Sequence, residues 1–294
     1  MILNASGCLD ALAAPDVART LDAFVTKTVT PLPREGNAPV RIAEAEVGML
    51  NSIGLANPGI DAFIADHLPR LLELGPPVWV SVGGFAAADY AELCARLDRT
   101  DAAVRELNLS CPNVAAPEDE VSAVVAAARA VTTKPLYAKL SPALPDLPAV
   151  ARAAAESGAD GLSLVNTIRG LALDPATLRP RLSTAVGGLS GPALRPVALA
   201  AVYACYRATG LPIVGMGGVE TGRDALDLIA AGASAVAVGT ALFADPGAPA
   251  RIRAELAAEA AGRGFADPLA ARGTAHEEGP RASRRPAERV RLKL

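Results

Sequence analysis

The sequence predicts an α/β chain folded as a (β/α)8 TIM barrel with inserted loops over its C-terminal face. Three observations carry that prediction. Short aliphatic runs alternate strictly with Ala- and Leu-rich stretches of helical period, eight of each. Polar or glycine residues follow the carboxyl end of every aliphatic run, and in a barrel those ends converge on one face. The composition is 51% hydrophobic but only 3% aromatic, which suits closely packed helices over short buried strands. A doubly wound sheet shares the alternation; the count of eight, with polar strand ends, favours the barrel.

Taken in order, strands are expected near 2–4, 24–28, 78–82, 105–109, 136–140, 161–165, 213–216 and 235–238. Helical patterns fill 11–22, 61–74, 87–99, 118–131, 147–157, 195–208, 222–231 and 249–261. Two stretches break the alternation. Residues 30–58 carry Pro31, Pro33, Gly36, Pro39, Gly48, Gly54 and Pro58 with no helix period, and read as an excursion over the barrel top. Residues 169–192 have the same character, and irregular segments of that length usually line or cover a site. The barrel is expected to occupy 1–270. Residues 271–294 hold seven basic and three acidic side chains without apolar periodicity, and read as a disordered basic tail.

The remaining composition excludes several classes of function. Net charge is −3, and no basic block precedes the tail, so a nucleic-acid footprint is missing and small substrates are expected. Cys8, Cys94, Cys111 and Cys205 are scattered without a CxxC pair, which writes neither a zinc nor an iron–sulfur site and fits a reduced, cytoplasmic protein. No apolar run reaches spanning length without a Gly, Pro or charge.

The strand ends supply the candidate chemistry. Asn108-Leu-Ser-Cys-Pro-Asn113 places a thiol and two carboxamides just past a strand that Pro112 prevents from continuing. A lone cysteine is more often a small buried hydrophobe than a nucleophile or base, so Cys111 needs support from its surroundings. Gly187 to Gly191, Ile213 to Val219 and Ala235 to Ala241 are glycine loops ahead of helices. Any one of them could be a tight turn, whereas three at the expected barrel positions form a phosphate cradle. Lys27 and Lys139 end strands two and five; each is either half of a structural ion pair or a cation awaiting an anionic ligand. Asn51, Asn108, Asn113 and Asn166 offer donors and acceptors suited to a ring of alternating N–H and C=O groups, though single loop asparagines are commonly turn formers.

As a set, these residues resemble the catalytic subunit of class 1 dihydroorotate dehydrogenases, and more closely the 1B branch. The anchors are Ala5-Ser-Gly7, Thr26-Lys-Thr28, Arg34 to Asn37, Met49 to Gly59, Asn108 to Asn113, Lys139 to Pro142, Val165-Asn-Thr167, Gly187 to Pro192 and the two later glycine loops. The resemblance implies FMN-dependent oxidation of dihydroorotate to orotate in pyrimidine biosynthesis. Cys111 would be the base at C5. Lys27, Asn51, Asn108, Asn113, Asn166 and Thr167 would hold the substrate. Ser6, Gly7, Lys27, Asn108, Lys139, Gly191, Gly217, Gly218, Gly239 and Thr240 would hold FMN. It also implies a homodimer and a separate FAD and 2Fe–2S subunit passing electrons to NAD, with neither nucleic acid nor membrane as partner.

Two departures from the family pattern are expected to matter. The segment that closes the barrel bottom in relatives is absent ahead of Ile2, and only Val114-Ala-Ala-Pro117 connects the cysteine motif to the next helix, a short cover for the substrate. That short cover predicts reduced turnover, a different closing element or an altered substrate. The competing readings are an FMN-dependent dihydropyrimidine or dihydrouridine oxidoreductase, a non-redox phosphate-binding isomerase or lyase barrel, and a noncatalytic subunit that retains FMN.

Overall fold

The computed structural model describes residues 1–109 and 118–277. Its strands, in chain order, are β1 (Ile2–Asn4), β2 (Phe24–Val25), β3 (Ile42–Ala45), β4 (Gly48–Asn51), β5 (Val78–Val82), β6 (Val104–Asn108), β7 (Leu136–Leu140), β8 (Gly161–Leu164), β9 (Ile168–Gly170), β10 (Gly187–Ser190), β11 (Ile213–Met216) and β12 (Ala235–Val238). Eight of these form one parallel sheet in the order β1-β12-β11-β8-β7-β6-β5-β2. A parallel bridge between Leu3 and Ala23 brings the two ends together and closes the barrel.

Alternation along each strand divides the apolar residues between two layers. Leu3, Val25, Trp79, Val104, Val214 and Met216 pack together inside the barrel. Residues at the alternate positions, among them Ile2, Val80, Leu107 and Ile213, pack outward against the helices. Charged residues obey the same rule. Arg105 and Glu106 are adjacent on β6, both essentially without solvent contact, and must face opposite layers. Arg105 points outward, where it donates to the Ala102 carbonyl at 2.8 Å.

The β1–β2 seam is short, and side chains complete it. Val25 has its own N–H and C=O matched by the carboxamide of Asn4, at 2.8 and 2.7 Å. Asp22 accepts from the Ile2 N–H at 2.7 Å, returns its own N–H to the Ile2 carbonyl at 3.0 Å, and is paired with Arg253 at 3.1 Å. Although burial opposes ionisation, the Ile2 N–H and Arg253 together hold the Asp22 carboxyl below its ordinary value.

Most helices fall where the sequence places them: Ala87–Leu97, Glu118–Arg129, Leu147–Glu156, Arg195–Thr209, Gly222–Ala230 and Ala248–Ala261. Differences concentrate near proline and glycine. The 11–22 helix shrinks to Pro15–Arg19. The 61–74 helix becomes Gly59–Ala62, a wider π turn over Phe63–His67, and Leu68–Leu72; Pro69 lacks the N–H that would continue a regular helix. β2 ends at Val25 rather than 28, so Lys27 stands beyond the strand.

The two excursions are not irregular throughout. They build a four-stranded antiparallel sheet, β3-β4-β10-β9, with Leu50 opposite both Ala43 and Leu189. A small apolar cluster of Ala43, Leu50 and Leu182 supports it.

Beyond residue 270 the chain remains packed as far as the description extends. Two short 3-10 turns follow: Pro268–Ala271, which packs against the helices Gly222–Ala230 and Ala248–Ala261, and Thr274–His276. Arg272 donates to the Gly232 carbonyl at 2.9 Å and covers the Tyr206 ring, and His276 stacks on Tyr203 at 4.0 Å. The first part of the stretch read as a solvated tail is therefore structured, because Arg272 and His276 find carbonyls and aromatic rings at the barrel base. Residues 278–294 lie outside the described ones.

Candidate active site

The site is built from the loops that leave the carboxyl ends of the barrel strands. Lys27 follows β2 and lies across the backbone of Gly7, whose φ is +79°. A Cβ there would come within 3.0 Å of Lys27 Cδ and 3.7 Å of Nζ. Ser6 anchors this loop by donating from Oγ to the Thr26 carbonyl at 2.8 Å. Burial and the nearby charge of Lys139 lower the Lys27 pKa from its ordinary range; Cys8 pulls the other way. Cys8 is itself pushed up by burial, against the pull of Lys139 and Lys27. Among the described residues, no carboxylate lies within ion-pair distance of Lys27.

Lys139 stands on β7 between Asn108 of β6 and Ser163 of β8 in the sheet register. Its Nζ lies 3.6 Å from Glu106 Oε1, with the side chains only 7% and 1% exposed. The ion-pair reading of Lys139 thus holds, and its partner comes from inside the barrel.

The carboxamides form a chain across the mouth. Asn108 donates to Thr28 Oγ1 at 3.1 Å and accepts from Asn166 at 3.3 Å. The Asn108 carbonyl accepts from the Tyr90 hydroxyl at 2.9 Å. Asn166 Oδ1 accepts from the Thr167 N–H at 2.8 Å. The antiparallel sheet reaches the mouth through Gly188: Asn51 donates to its carbonyl at 3.3 Å, and a Cβ there would strike Thr167 Oγ1 at 2.2 Å. Asn51, Asn108, Asn166 and Thr167 are thereby brought to one place. Cys111, Asn113 and the short connection from Val114 to Pro117 lie outside the described residues.

The glycine loops meet on the other side of the mouth. Gly191, Gly217 and Gly218 have φ of +100°, +123° and +71°. A Cβ on Gly218 would come within 2.8 Å of the Gly191 carbonyl oxygen, and one on Gly191 within 2.6 Å of Gly48 Cα. Gly239 faces Ala5 and Cys8, and Thr240 shares a 2.8 Å hydrogen bond with Ser190. The backbone N–H groups of Gly217, Gly218 and Thr240 have no acceptor among the described residues. Unobstructed, unsatisfied N–H groups converging at strand ends suit a phosphate. Arg195, ion-paired with Asp224, braces this side.

Sequence reasoning missed Thr28, Ser190, Glu106 and Ser163. The first two sit beside residues that were singled out. Glu106 was hidden inside a strand, and its one signal was a charge at an inward position of an otherwise buried run.

A family model described as dihydroorotate dehydrogenase matches residues 1–259. The chain is 47% identical over 267 residues to the dihydroorotate dehydrogenase B (NAD(+)) catalytic subunit of Desulforudis audaxviator, covering 88% of this chain and 87% of that protein. It is 49% identical over 244 residues to a protein of Solibacter usitatus provisionally named dihydroorotate dehydrogenase A (fumarate), with 80% of each covered. Its fold is similar to a crystal structure of DHODH from Eimeria tenella in complex with ferulenol, with TM-score 0.77, 27% identity, and coverage of 94% of this chain and 85% of that one.

Proposed function

Because the chain belongs to the dihydroorotate dehydrogenase family, we propose that it oxidises dihydroorotate to orotate in pyrimidine biosynthesis, as the catalytic subunit of an NAD-linked enzyme. The observation that supports this most is Lys27, a half-buried cation beside a second cation, with no carboxylate of its own among the described residues. A substrate carboxylate would complete that pairing. The carboxamides of Asn51, Asn108 and Asn166 and the glycine loops then stand around that mouth.

FMN fits the residues present: its phosphate would take the free N–H groups of Gly217, Gly218 and Thr240, beside Gly191 and Gly239, and its ring would lie among Ser6, Gly7, Lys27, Asn108 and Lys139. When bound there, FMN supplies the two-electron acceptor for the hydride from C6 of dihydroorotate. The chain's own residues do the rest. Cys111 removes the C5 proton, in keeping with a weakly acidic carbon that needs a positioned base. Lys27 binds the carboxylate, and Asn51, Asn108, Asn113, Asn166 and Thr167 orient the ring amides.

Electrons leave through a second protein, an FAD and 2Fe–2S subunit. Val40, Ile42, Val47, Leu171, Leu173 and Leu178 are exposed on the two excursions, an apolar surface that suits a protein partner or a second copy of the chain. No helix among the described residues is long and apolar enough to cross a membrane, and the reading places the enzyme in the cytoplasm. The relationship to the fumarate-type relative favours a second reading, in which the isolated chain reduces fumarate directly.

The deciding experiment is anaerobic mixing of the purified yellow protein with dihydroorotate. Flavin bleaching is expected, and C111A should retain the flavin while reduction slows by about 100- to 10,000-fold. Colourless protein, or bleaching unaffected in C111A, would overturn the reading. Rapid, complete bleaching of the wild type would remove the expectation that the short connection after Val114 slows the reaction. Turnover with fumarate in the absence of a partner would favour the second reading.

A further inference from the structure

Among the described residues, the mouth of the barrel holds two ammonium groups, Lys27 and Lys139, but one internal carboxylate, Glu106. That carboxylate comes from the inward face of β6, two residues before Asn108, and is 1% exposed. Its Oε1 lies 3.6 Å from Lys139 Nζ, beyond hydrogen-bond length, and accepts no hydrogen bond from the described residues. Ser163, opposite Lys139 on β8, also has a fully buried hydroxyl without a partner. A buried charge of this kind is costly and is weak evidence of a purely structural role, since apolar residues of similar volume would pack as well or better.

Building on the flavin reading above, we propose that Glu106 is a positioning residue that holds Lys139 at the inner edge of the site and thereby sets the reduction potential of the bound flavin. Its carboxylate draws one ammonium inward and balances it with a fixed charge. Lys27 is left as the cation that an exchangeable anion must satisfy. The two lysines therefore do different work because, among the described residues, only Lys139 has an internal carboxylate partner.

The sign of the effect follows from electrostatics. A cation near a flavin favours the reduced, more negative ring, and a fixed carboxylate on that cation weakens the preference. Glu106→Gln keeps the size and removes the charge, so the flavin becomes easier to reduce. Lys139→Met makes it harder. In the Lys139→Met background the cation through which Glu106 acts is gone, and Glu106→Gln changes nothing further.

Redox titration of the flavin absorbance in the full-length holoprotein tests this. For Glu106→Gln, the expected result is a roughly tenfold rise in the ratio of reduced to oxidised flavin at a fixed ambient potential, about 30 mV for a two-electron couple. In the Lys139→Met background, the same substitution should leave the ratio unchanged. An unmoved midpoint in Glu106→Gln with normal flavin content, including one accompanied by lower thermal stability, would mean an ion pair that serves only the fold. A shift of equal size in both backgrounds would show that Glu106 does not act through Lys139. If Glu106→Gln does not fold, Glu106→Asp keeps the charge, withdraws it by one methylene, and should give a smaller shift in the same direction; an unmoved midpoint there overturns the proposal. Wild-type protein without flavin is a separate outcome, sinking the reading of the site and this inference with it.

Discussion

At the β1–β2 seam, polar groups find their partners within the chain: the buried Asn4 carboxamide takes both backbone groups of Val25, and Asp22 takes the Ile2 N–H and Arg253. At the mouth, the same kinds of group stop short of completion. Among the described residues, Lys27 has no carboxylate, Glu106 Oε1 accepts no hydrogen bond, and three loop N–H groups have no acceptor. Since an unsatisfied buried polar group costs roughly 1–3 kcal/mol, a fold that completes one end and leaves the other unfinished is reserving the second for a ligand.

Substitution at the seam gives the largest effect. Asn4→Ala leaves two backbone groups of Val25 without partners inside the barrel, so stability should fall by about 2–4 kcal/mol. Urea unfolding measures the loss, and the flavin spectrum of the remaining folded protein should be unchanged. A spectral change of the same order would erase the distinction between the two regions.

Gly218→Val is the converse test at the mouth. With φ at +71° and the Gly191 carbonyl 2.8 Å from the would-be Cβ, the side chain strains the loop by about 1–3 kcal/mol. FMN affinity should drop about 10- to 100-fold, read by flavin fluorescence on dilution, while the secondary structure seen by circular dichroism is retained. Full flavin retention would show that this loop does not hold the phosphate.

The smallest effect is expected at Asp22. Its folded pKa lies below the ordinary value of 3.8, so it contributes stability that is complete above that value and is lost as pH falls through the depressed one. Its side chain is 41% exposed, and solvent screening limits the contribution to no more than about 1 kcal/mol. Asp22→Asn should therefore lower the melting temperature at neutral pH and converge with the wild type in acid. A difference that persists unchanged in acid would assign the effect to something other than charge.

Much of the barrel was legible because its strands are β-branched or aliphatic runs bounded by turns, and β5, β7, β11 and β12 occupy the expected residues. The glycine loops and both lysines could be found because they stand at strand ends. The antiparallel sheet was not legible: Gly48, Gly187 and Gly188 weaken its local strand signal, and its partners are far apart in sequence. Glu106 was obscured by Arg105, since adjacent opposite charges in one strand read as a surface pair until alternation sends them to different layers. The segment from Ala271 to His276 was misread by composition. Its order comes from Tyr203 and Tyr206, which local sequence cannot place beneath it.

The antiparallel sheet also fixes when the site can come into being. Asn51 and Gly188, which it joins, are separated by 137 residues, and four of the eight barrel strands lie between them. Bringing such distant segments together carries a loop-closure cost that local helices and neighbouring strands avoid. The sheet therefore zips late, after the four intervening barrel strands, β5 to β8, have begun to order the chain. Ligand affinity becomes a report on the last contacts made, so a refolding chain should regain its helical signal before it regains its colour.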